Sequence, residues 1–270
     1  MTTLTFDHVV HFLEKPEGII PKLKQEGIHA IEGGRHEGRG TYNALSYFDL
    51  SYIEYLGTYD QKLVEEGNQL HHSMMETIIE RDFEESIVRF AARTTNIDQV
   101  AADFRAKGLT VTGPTPLFRK RLDGSIISWK LLYAGEESDS LKLPFIIQWD
   151  DADEKRRQEQ IDQGVIGKQL PTVAFEGVTF VVRNAQQTVE RWSNYLNILV
   201  KEEYENKDLN AKVIVLDLPG GELQFAEPLG EGIVQETLES KGEVPLQINL
   251  TGFSEEKVIE IQKARYNLKK

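Results

Sequence analysis

The stretch 5–13, Thr-Phe-Asp-His-Val-Val-His-Phe-Leu, mixes apolar and polar side chains over a run that reads as a strand. Pro16 and Glu17 then open a short helix that turns Ile19, Ile20 and Leu23 to one side and stops at Gly27. A second strand is predicted at 28–32, followed by a Gly-rich loop at 33–40. Two more strands follow at 42–48 and 51–57, joined by a tight turn at Asp49-Leu50. The order is β-α-β-β-β.

That order returns. Strand pattern at 86–92 is followed by a helix at 98–107 that Gly108 ends, then by strands at 110–112, 117–121, 126–134 and 145–150. Asp123-Gly124 is a hairpin turn signal within this unit. A third copy runs through 173–183, a helix at 186–196, and strands at 198–203, 212–217 and 222–227, with a turn at Pro219-Gly220-Gly221. A fourth begins at 244–252 and enters a helix at 254–257 behind Ser254, a sound N-cap. His8 and Glu54, midway along the first and last strands of unit one, are 46 positions apart; Gly177 and Gln224 in unit three are 47 apart. Arg89 and Gln148 in unit two are 59 apart, the excess lying in the hairpin region 113–142.

Two segments fall outside the units. Residues 61–81 carry helical spacing (Leu63, Val64, Leu70, Met74, Ile78) and connect units one and two. Residues 150–170 are charged and Gln-rich, as in a solvated helix or linker. The expected organisation is therefore α+β, built of tandem βαβββ units. It comprises an N-terminal domain at 1–150, a charged linker at 151–171 and a C-terminal domain at 172–270.

Composition narrows the chemistry. A chain of 270 residues that is 40% apolar and 28% charged has the makings of a real core. It has no cysteine, which removes disulfides, thiolate metal sites and a thiol nucleophile. A net charge of −13 argues against broad binding to nucleic acid or an anionic membrane. The first residues lack the basic and apolar regions of a signal peptide, and no apolar run approaches the ~18 residues of a membrane span, so a cytoplasmic location is expected.

The opening Phe6-Asp7-His8-Val9-Val10-His11-Phe12, the loop Gly33-Gly34-Arg35-His36-Glu37-Gly38-Arg39-Gly40-Thr41-Tyr42-Asn43-Ala44 and Ser51-Tyr52-Ile53-Glu54 stand in order at suitable distances. Together with the tandem unit they resemble the vicinal oxygen chelate superfamily (glyoxalase I, extradiol dioxygenases, bleomycin-resistance proteins), and within it the glyoxalase-like domain group. The specific match covers roughly residues 4–150. The resemblance implies that paired units close into a cup that holds a small ligand. It also implies, in many members, a divalent metal held by a His or Gln from the first strand and a Glu from the last strand of each unit. Its implied activities are those of a lyase, isomerase or dioxygenase, with a resistance-type binding protein that turns nothing over as the alternative.

Strand geometry puts Phe6, His8, Val10 and Phe12 on one face and Asp7, Val9 and His11 on the other, with Tyr52, Glu54 and Leu56 aligned on the last strand. His8 and Glu54 are thus expected to meet inside the cup. They suit three roles: ligands of Zn²⁺, Fe²⁺, Mn²⁺ or Ni²⁺, a metal-free acid–base pair, or a structural pair in a polar cavity. In unit two the same positions hold Arg89 and Gln148, and a guanidinium cannot ligate a cation. Arg89 or Arg121 would instead grip a carboxylate or oxyanion, or Arg89 would neutralise Glu54, with Gln148 orienting the ligand. His36, beside Arg35 and Arg39, and Asn43 are candidate ligand contacts; a tight-turn role for the Gly-rich loop is the competing reading. Trp129, with Phe118, Arg119 and Tyr133, would form an aromatic and basic wall, or an ordinary strand pair. His71-His72, read as adjacent helix positions about 100° apart, are poorly placed to chelate and are expected at the surface. Unit three has Gly177 and Gln224 where ligands would stand. Residues 172–270 therefore read as a degenerate paired domain, structural or dimer-forming, with a second small cup as the alternative.

Overall fold

The computed structural model describes residues 3–67, 70–120, 126–136 and 140–270. The first unit runs through β1 (Thr5–Phe12), a 3-10 turn (Pro16–Ile19) that passes into α1 (Ile20–Gln25), β2 (Ile31–His36), β3 (Thr41–Phe48) and β4 (Ser51–Thr58). Helices α2 (Gln61–Gly67) and α3 (Met74–Glu80) lead to the second unit: β5 (Ser86–Arg93), α4 (Ile97–Ala106), β6 (Thr110–Lys120), β7 (Ile126–Gly135) and β8 (Phe145–Trp149). Helix α5 (Asp153–Asp162) precedes the third: β9 (Ala174–Val181), α6 (Ala185–Leu196), β10 (Val200–Asn206), β11 (Ala211–Leu216) and β12 (Glu222–Pro228). Helix α7 (Ile233–Lys241) leads to β13 (Val244–Thr251), β14 (Lys257–Ile261) and β15 (Ala264–Leu268).

Units one and two form an eight-stranded mixed sheet in the order β2-β3-β4-β1-β5-β8-β7-β6. Its centre is the antiparallel pair β1/β5, flanked by the parallel pairs β1/β4 and β5/β8. Units three and four repeat the scheme with seven strands, β10-β11-β12-β9-β13-β15-β14. The helices that open the second and third units start for the same local reason. Asn96 Oδ1 accepts the N–H of Gln99 and Asn184 Oδ1 that of Gln187, each satisfying an amide that the first helical turn leaves unpaired.

The fourth unit departs from expectation. Residues 257–268 form a β-hairpin where a helix was predicted behind Ser254. Glu255-Glu256-Lys257 read as helical, yet from Ile259 to Leu268 the buried positions alternate, and Gln262 and Lys263 take the two left-handed conformations of a tight hairpin turn. The Gly-rich loop is shorter than predicted, because Gly33 and Gly34 lie within β2. The segments expected at 110–112 and from 117 belong to one strand, Thr110–Lys120, that is irregular between Thr112 and Thr115. The connector 61–81 is two helices, and α7 had no counterpart in the predicted elements. Asp123-Gly124 and Arg121 lie outside the described residues.

The two sheets share one core. Phe6 packs on Phe175 with ring centroids 4.6 Å apart, and Phe90 packs on Phe180 at 5.8 Å and Trp192 at 6.1 Å. His11, fully buried, bridges the halves: its Nδ1 meets Tyr266 Oη at 2.7 Å and its Nε2 lies 3.0 Å from the carbonyl of Gln262. Burial pushes the His11 ring down to a pKa of about 4, so it is neutral at pH 7. Across the inner side of the first sheet Val10, Phe12, Leu56, Val88 and Phe145 form a second apolar cluster with Met74 and Ile78 of α3. Among the described residues no helix is long and apolar enough to cross a membrane.

Candidate functional site

The inner face of the first sheet encloses a cavity of about 700 Å³. His8 reaches it through a break in strand alternation. Phe6 is buried in the shared core although it stands two residues from His8; the register of β1 against β5 shifts between them, and this irregularity turns His8 into the cup. The single-face expectation for Phe6 and His8 therefore fails, as does the placement of Asp7 on the far side. Asp7 Oδ1 lies 2.7 Å from His8 Nδ1.

Asp7 is wholly buried and held from several directions. Trp149 Nε1 donates to its Oδ2 at 3.0 Å, and guanidinium nitrogens of Arg156 and Arg93 stand 3.9 and 4.0 Å away. Burial alone would raise its pKa. The bond and charge of His8, with the charges of Arg156 and Arg93, outweigh it and hold the carboxyl below its ordinary range. An ionised carboxylate only accepts, so the neutral His8 ring carries its proton on Nδ1 and leaves the Nε2 lone pair toward the cavity.

Glu54 comes from β4, whose parallel register sets Tyr52 against His8 and Glu54 against Val10. Its Oε2 lies 3.6 Å from His8 Nε2, an ionic contact when the ring is charged and too long for a hydrogen bond. Asn43 fixes the carboxylate from the other side, donating from Nδ2 to Glu54 Oε1 at 2.6 Å while its Oδ1 accepts the N–H of Gly34 at 2.9 Å. Gly33 makes room for this: a Cβ there would lie 2.0 Å from Asn43 Oδ1. The ring of His8 stacks on Tyr52 at 4.6 Å, and Tyr52 on Tyr47 at 4.9 Å. Burial pushes the Tyr47 hydroxyl up to about 12, so it is a neutral hydrogen-bonding group at pH 7.

Of the remaining expected site residues, His36 and Trp129 line the same cavity. His36 Nδ1 lies 2.8 Å from Thr41 Oγ1, and burial, with Arg119, Arg39 and His8 nearby, lowers its pKa against the pull of Glu54. Trp129 packs on Trp149 at 5.6 Å. Arg89 and Gln148 do not reach the cup, which corrects both expectations. The residue opposite His8 across β1/β5 is Ala91. Arg89 is buried beside the turn that precedes α3, donating from Nε to the Leu143 carbonyl and from Nη1 to the His72 carbonyl, each at 2.6 Å; burial draws its pKa down to about 10. Gln148 faces away too: its Oε1 accepts the N–H of Ile97 at 2.7 Å where α4 begins, while Phe145, Ile147 and Trp149 take the inner face of β8.

Other cations serve the cavity. Arg39, Arg119 and Arg156 line it. Arg119, on the edge strand β6, reaches the opposite edge strand: a Cβ on Gly34 would lie 2.8 Å from its Nη1. Arg156 comes from the segment expected as a linker. Helix α5 closes one side of the cup, with Arg156 over the Trp149 ring at 4.2 Å and bonded to Asp153 at 3.2 Å, and Asp153 in turn accepts from Arg93 at 2.8 Å. Nothing in a run as polar as 150–163 marks Arg156 as buried. Asp7 was recoverable in principle from its place beside His8, but only if the bulge were known.

The donor set does not fit a three-ligand metal centre. Equivalence across the repeat makes Ala91 the counterpart of His8 and Ile147 that of Glu54, because Ala91 pairs with Phe145 as His8 pairs with Tyr52. Neither side chain can ligate. Asn43 Oδ1 is committed to Gly34, and among the described residues no third His, Asp or Glu donor clusters with His8 and Glu54, which leaves two ligands where a catalytic site ordinarily uses three. On the second sheet a ligating side chain is excluded at Gly177 by backbone approach, since a Cβ would lie 2.1 Å from the Glu222 carbonyl oxygen. Thr179, Gln224, Gln247 and Asn249 there are joined to one another by hydrogen bonds, and α7 packs Val234 and Leu238 into a cluster with Val181, Val213 and Ala226.

A family model described as "Glyoxalase-like domain" matches residues 6–196. A hypothetical protein from Staphylococcus aureus has a similar fold over 98% of this chain and 98% of its own, with TM-score 0.81 and 21% identity. A variant of 4-hydroxymandelate synthase from Streptomyces coelicolor is similar over 93% of this chain and 71% of its own, with TM-score 0.59 and 10% identity. No curated protein matches the chain.

Proposed function

The chain belongs to the glyoxalase-like domain family of the vicinal oxygen chelate superfamily, and on that premise we propose that its N-terminal cup binds a small oxygenated metabolite bearing an anionic group and moves a proton on it without a metal in the cup. The observation that carries this reading is His8, its Nδ1 tied to Asp7 and its Nε2 turned to the cavity beside Glu54. In that arrangement His8 accepts a proton from the substrate at Nε2. Glu54 compensates the imidazolium that forms, and Asp7 keeps the ring oriented. Trp129, Trp149 and Tyr52 offer flat apolar walls, and Arg119 and Arg39 offer donors for a carboxylate or oxyanion. The likeness to a hydroxymandelate synthase fold supports the architecture alone, because one fold hosts many chemistries.

The test has two stages. The whole chain is screened by thermal shift against small aromatic and aliphatic 2-oxo and 2-hydroxy carboxylates, and the binders are followed by NMR for exchange of substrate protons with D₂O. Exchange should be seen with the wild type and fall about 10²-fold or more in His8→Ala. Exchange that His8→Ala leaves unchanged contradicts the reading. A second reading, sequestration without turnover, draws on the apolar Ala91 and Ile147 at the vacated ligand positions. Under it, the His8→Ala and Glu54→Gln variants change affinity and no exchange is seen.

A further inference from the structure

Behind α3, away from the cup, the structure gathers a second set of donors. His71 and His72 lie in a turn before α3 and not within a helix; His71 is at the surface as expected, but His72 is 1% exposed. His72 adopts a left-handed backbone, with φ 60°, which a non-glycine residue takes at a cost and which is retained where surrounding structure enforces it. That conformation brings the two imidazoles together, with ring centroids 4.0 Å apart. Glu76 completes the set. Its Oε1 lies 3.0 Å from His71 Nδ1, and its Oε2 accepts the backbone N–H of His72 at 2.7 Å. One donor atom from each of His71, His72 and Glu76 falls within 4.8 Å of the others. A tetrahedral zinc ion, with ligands at 2.0–2.1 Å, needs its donors about 3.4 Å apart, which small side-chain movements here provide.

A capping arrangement alone explains Glu76, whose own N–H donates to Ser73 Oγ at 3.0 Å. It does not explain His72. Both of its ring nitrogens are buried and have no hydrogen-bond partner among the described residues, an expensive state for an imidazole inside a protein. We propose that His71, His72 and Glu76 form a binding site for a borderline divalent transition ion of the zinc type, with three protein ligands and one open position. Two imidazoles and a carboxylate are the donor class such ions select, and the carboxylate is already oriented by backbone and side-chain hydrogen bonds. Arg89 and Lys142 stand near and oppose a cation, while Glu76 offsets them. The site lies where the turn at His71-His72 meets Arg89 of β5 and Gly135 of β7. An ion there would clamp α3, whose Met74 and Met75 line the cup, with water in the fourth position.

The test uses the whole chain, stripped with chelator, and Zn²⁺ alone as the probe, read by equilibrium dialysis and by the melting temperature. Co²⁺ absorption in the visible serves as a second readout of coordination. The expected result is one Zn²⁺ per chain, at least tenfold weaker binding in His71→Ala and in Glu76→Gln, and unchanged binding in His8→Ala. His71 is half-exposed, so its replacement leaves packing intact, and a folded His71→Ala protein with undiminished Zn²⁺ affinity would overturn the proposal. So would absence of binding at micromolar Zn²⁺, or binding that His8→Ala or Glu54→Gln abolishes, since that places the ion in the cup. The inference stands apart from the proposed proton chemistry, which neither requires nor excludes it.

Discussion

Asp7 is the residue on which the geometry of His8 turns, and its environment makes a measurable claim. Its carboxyl is held below the ordinary range in the folded chain, chiefly by His8 once the opposing effect of burial is overcome. A carboxylate depressed by folding contributes stability that is complete above its unfolded pKa, about 3.9, and is lost as pH falls through the lower folded value. Urea denaturation of wild type and Asp7→Asn over a pH series should therefore show the wild-type advantage shrinking below about pH 4. An advantage that stays constant or grows toward pH 2 contradicts the assignment. At pH 7 the same variant should lose His8-dependent proton exchange while keeping ligand affinity within a fewfold, because Asp7 does not reach the ligand and acts through His8.

At the scale of elements, β2 and β3 carry a test of how the cup floor is built. Gly33→Ala places a methyl 2.0 Å from Asn43 Oδ1, and the side chain that must yield is the one holding Glu54. Gly34→Ala meets only the far end of Arg119. Chemical denaturation should show about 1–3 kcal/mol lost in Gly33→Ala and a clearly smaller loss in Gly34→Ala, with ligand affinity affected more by the first. Equal effects would show that Asn43 is not the constraint. These elements also show where the sequence was readable. The repeated order of strands and helices and the His8–Glu54 spacing follow from strand and helix patterning and turn residues, which act locally. The misreadings share a cause. One extra residue in the register of β1 against β5 reassigns the faces of Phe6 and Asp7. A one-residue error in the facing of β8 sends Gln148 to the wrong side, and Arg89, two positions along β5 from Ala91, is spent on backbone carbonyls. The terminal hairpin was missed, and the helix alternative at 150–170 holds without its packing being foreseen, because charged residues look alike in a helix, a strand or a linker. What decides is the partner they pack on, Trp149 and Asp7 for Arg156 and the shared core for Tyr266.

For the molecule as a whole, the two curled sheets are not independent bodies. Phe6, Phe90, Phe175, Phe180 and Trp192 belong to one apolar cluster drawn from both halves, and His11 reaches Tyr266 across the boundary. Heat or urea should unfold the chain in one transition seen alike by tryptophan fluorescence and circular dichroism; two separated transitions would show that the halves are stable alone. The central claim is that the cup presents a histidine oriented by a carboxylate rather than by a metal. Histidine-selective ¹⁵N NMR of the whole chain, recorded before and after chelator on the neutral rings, tests it most directly. The account predicts that His8 is the Nδ1–H tautomer and that its two nitrogen shifts are the same in both spectra. A metal-type shift at His8 Nε2 that the chelator abolishes, or the Nε2–H tautomer, would contradict it.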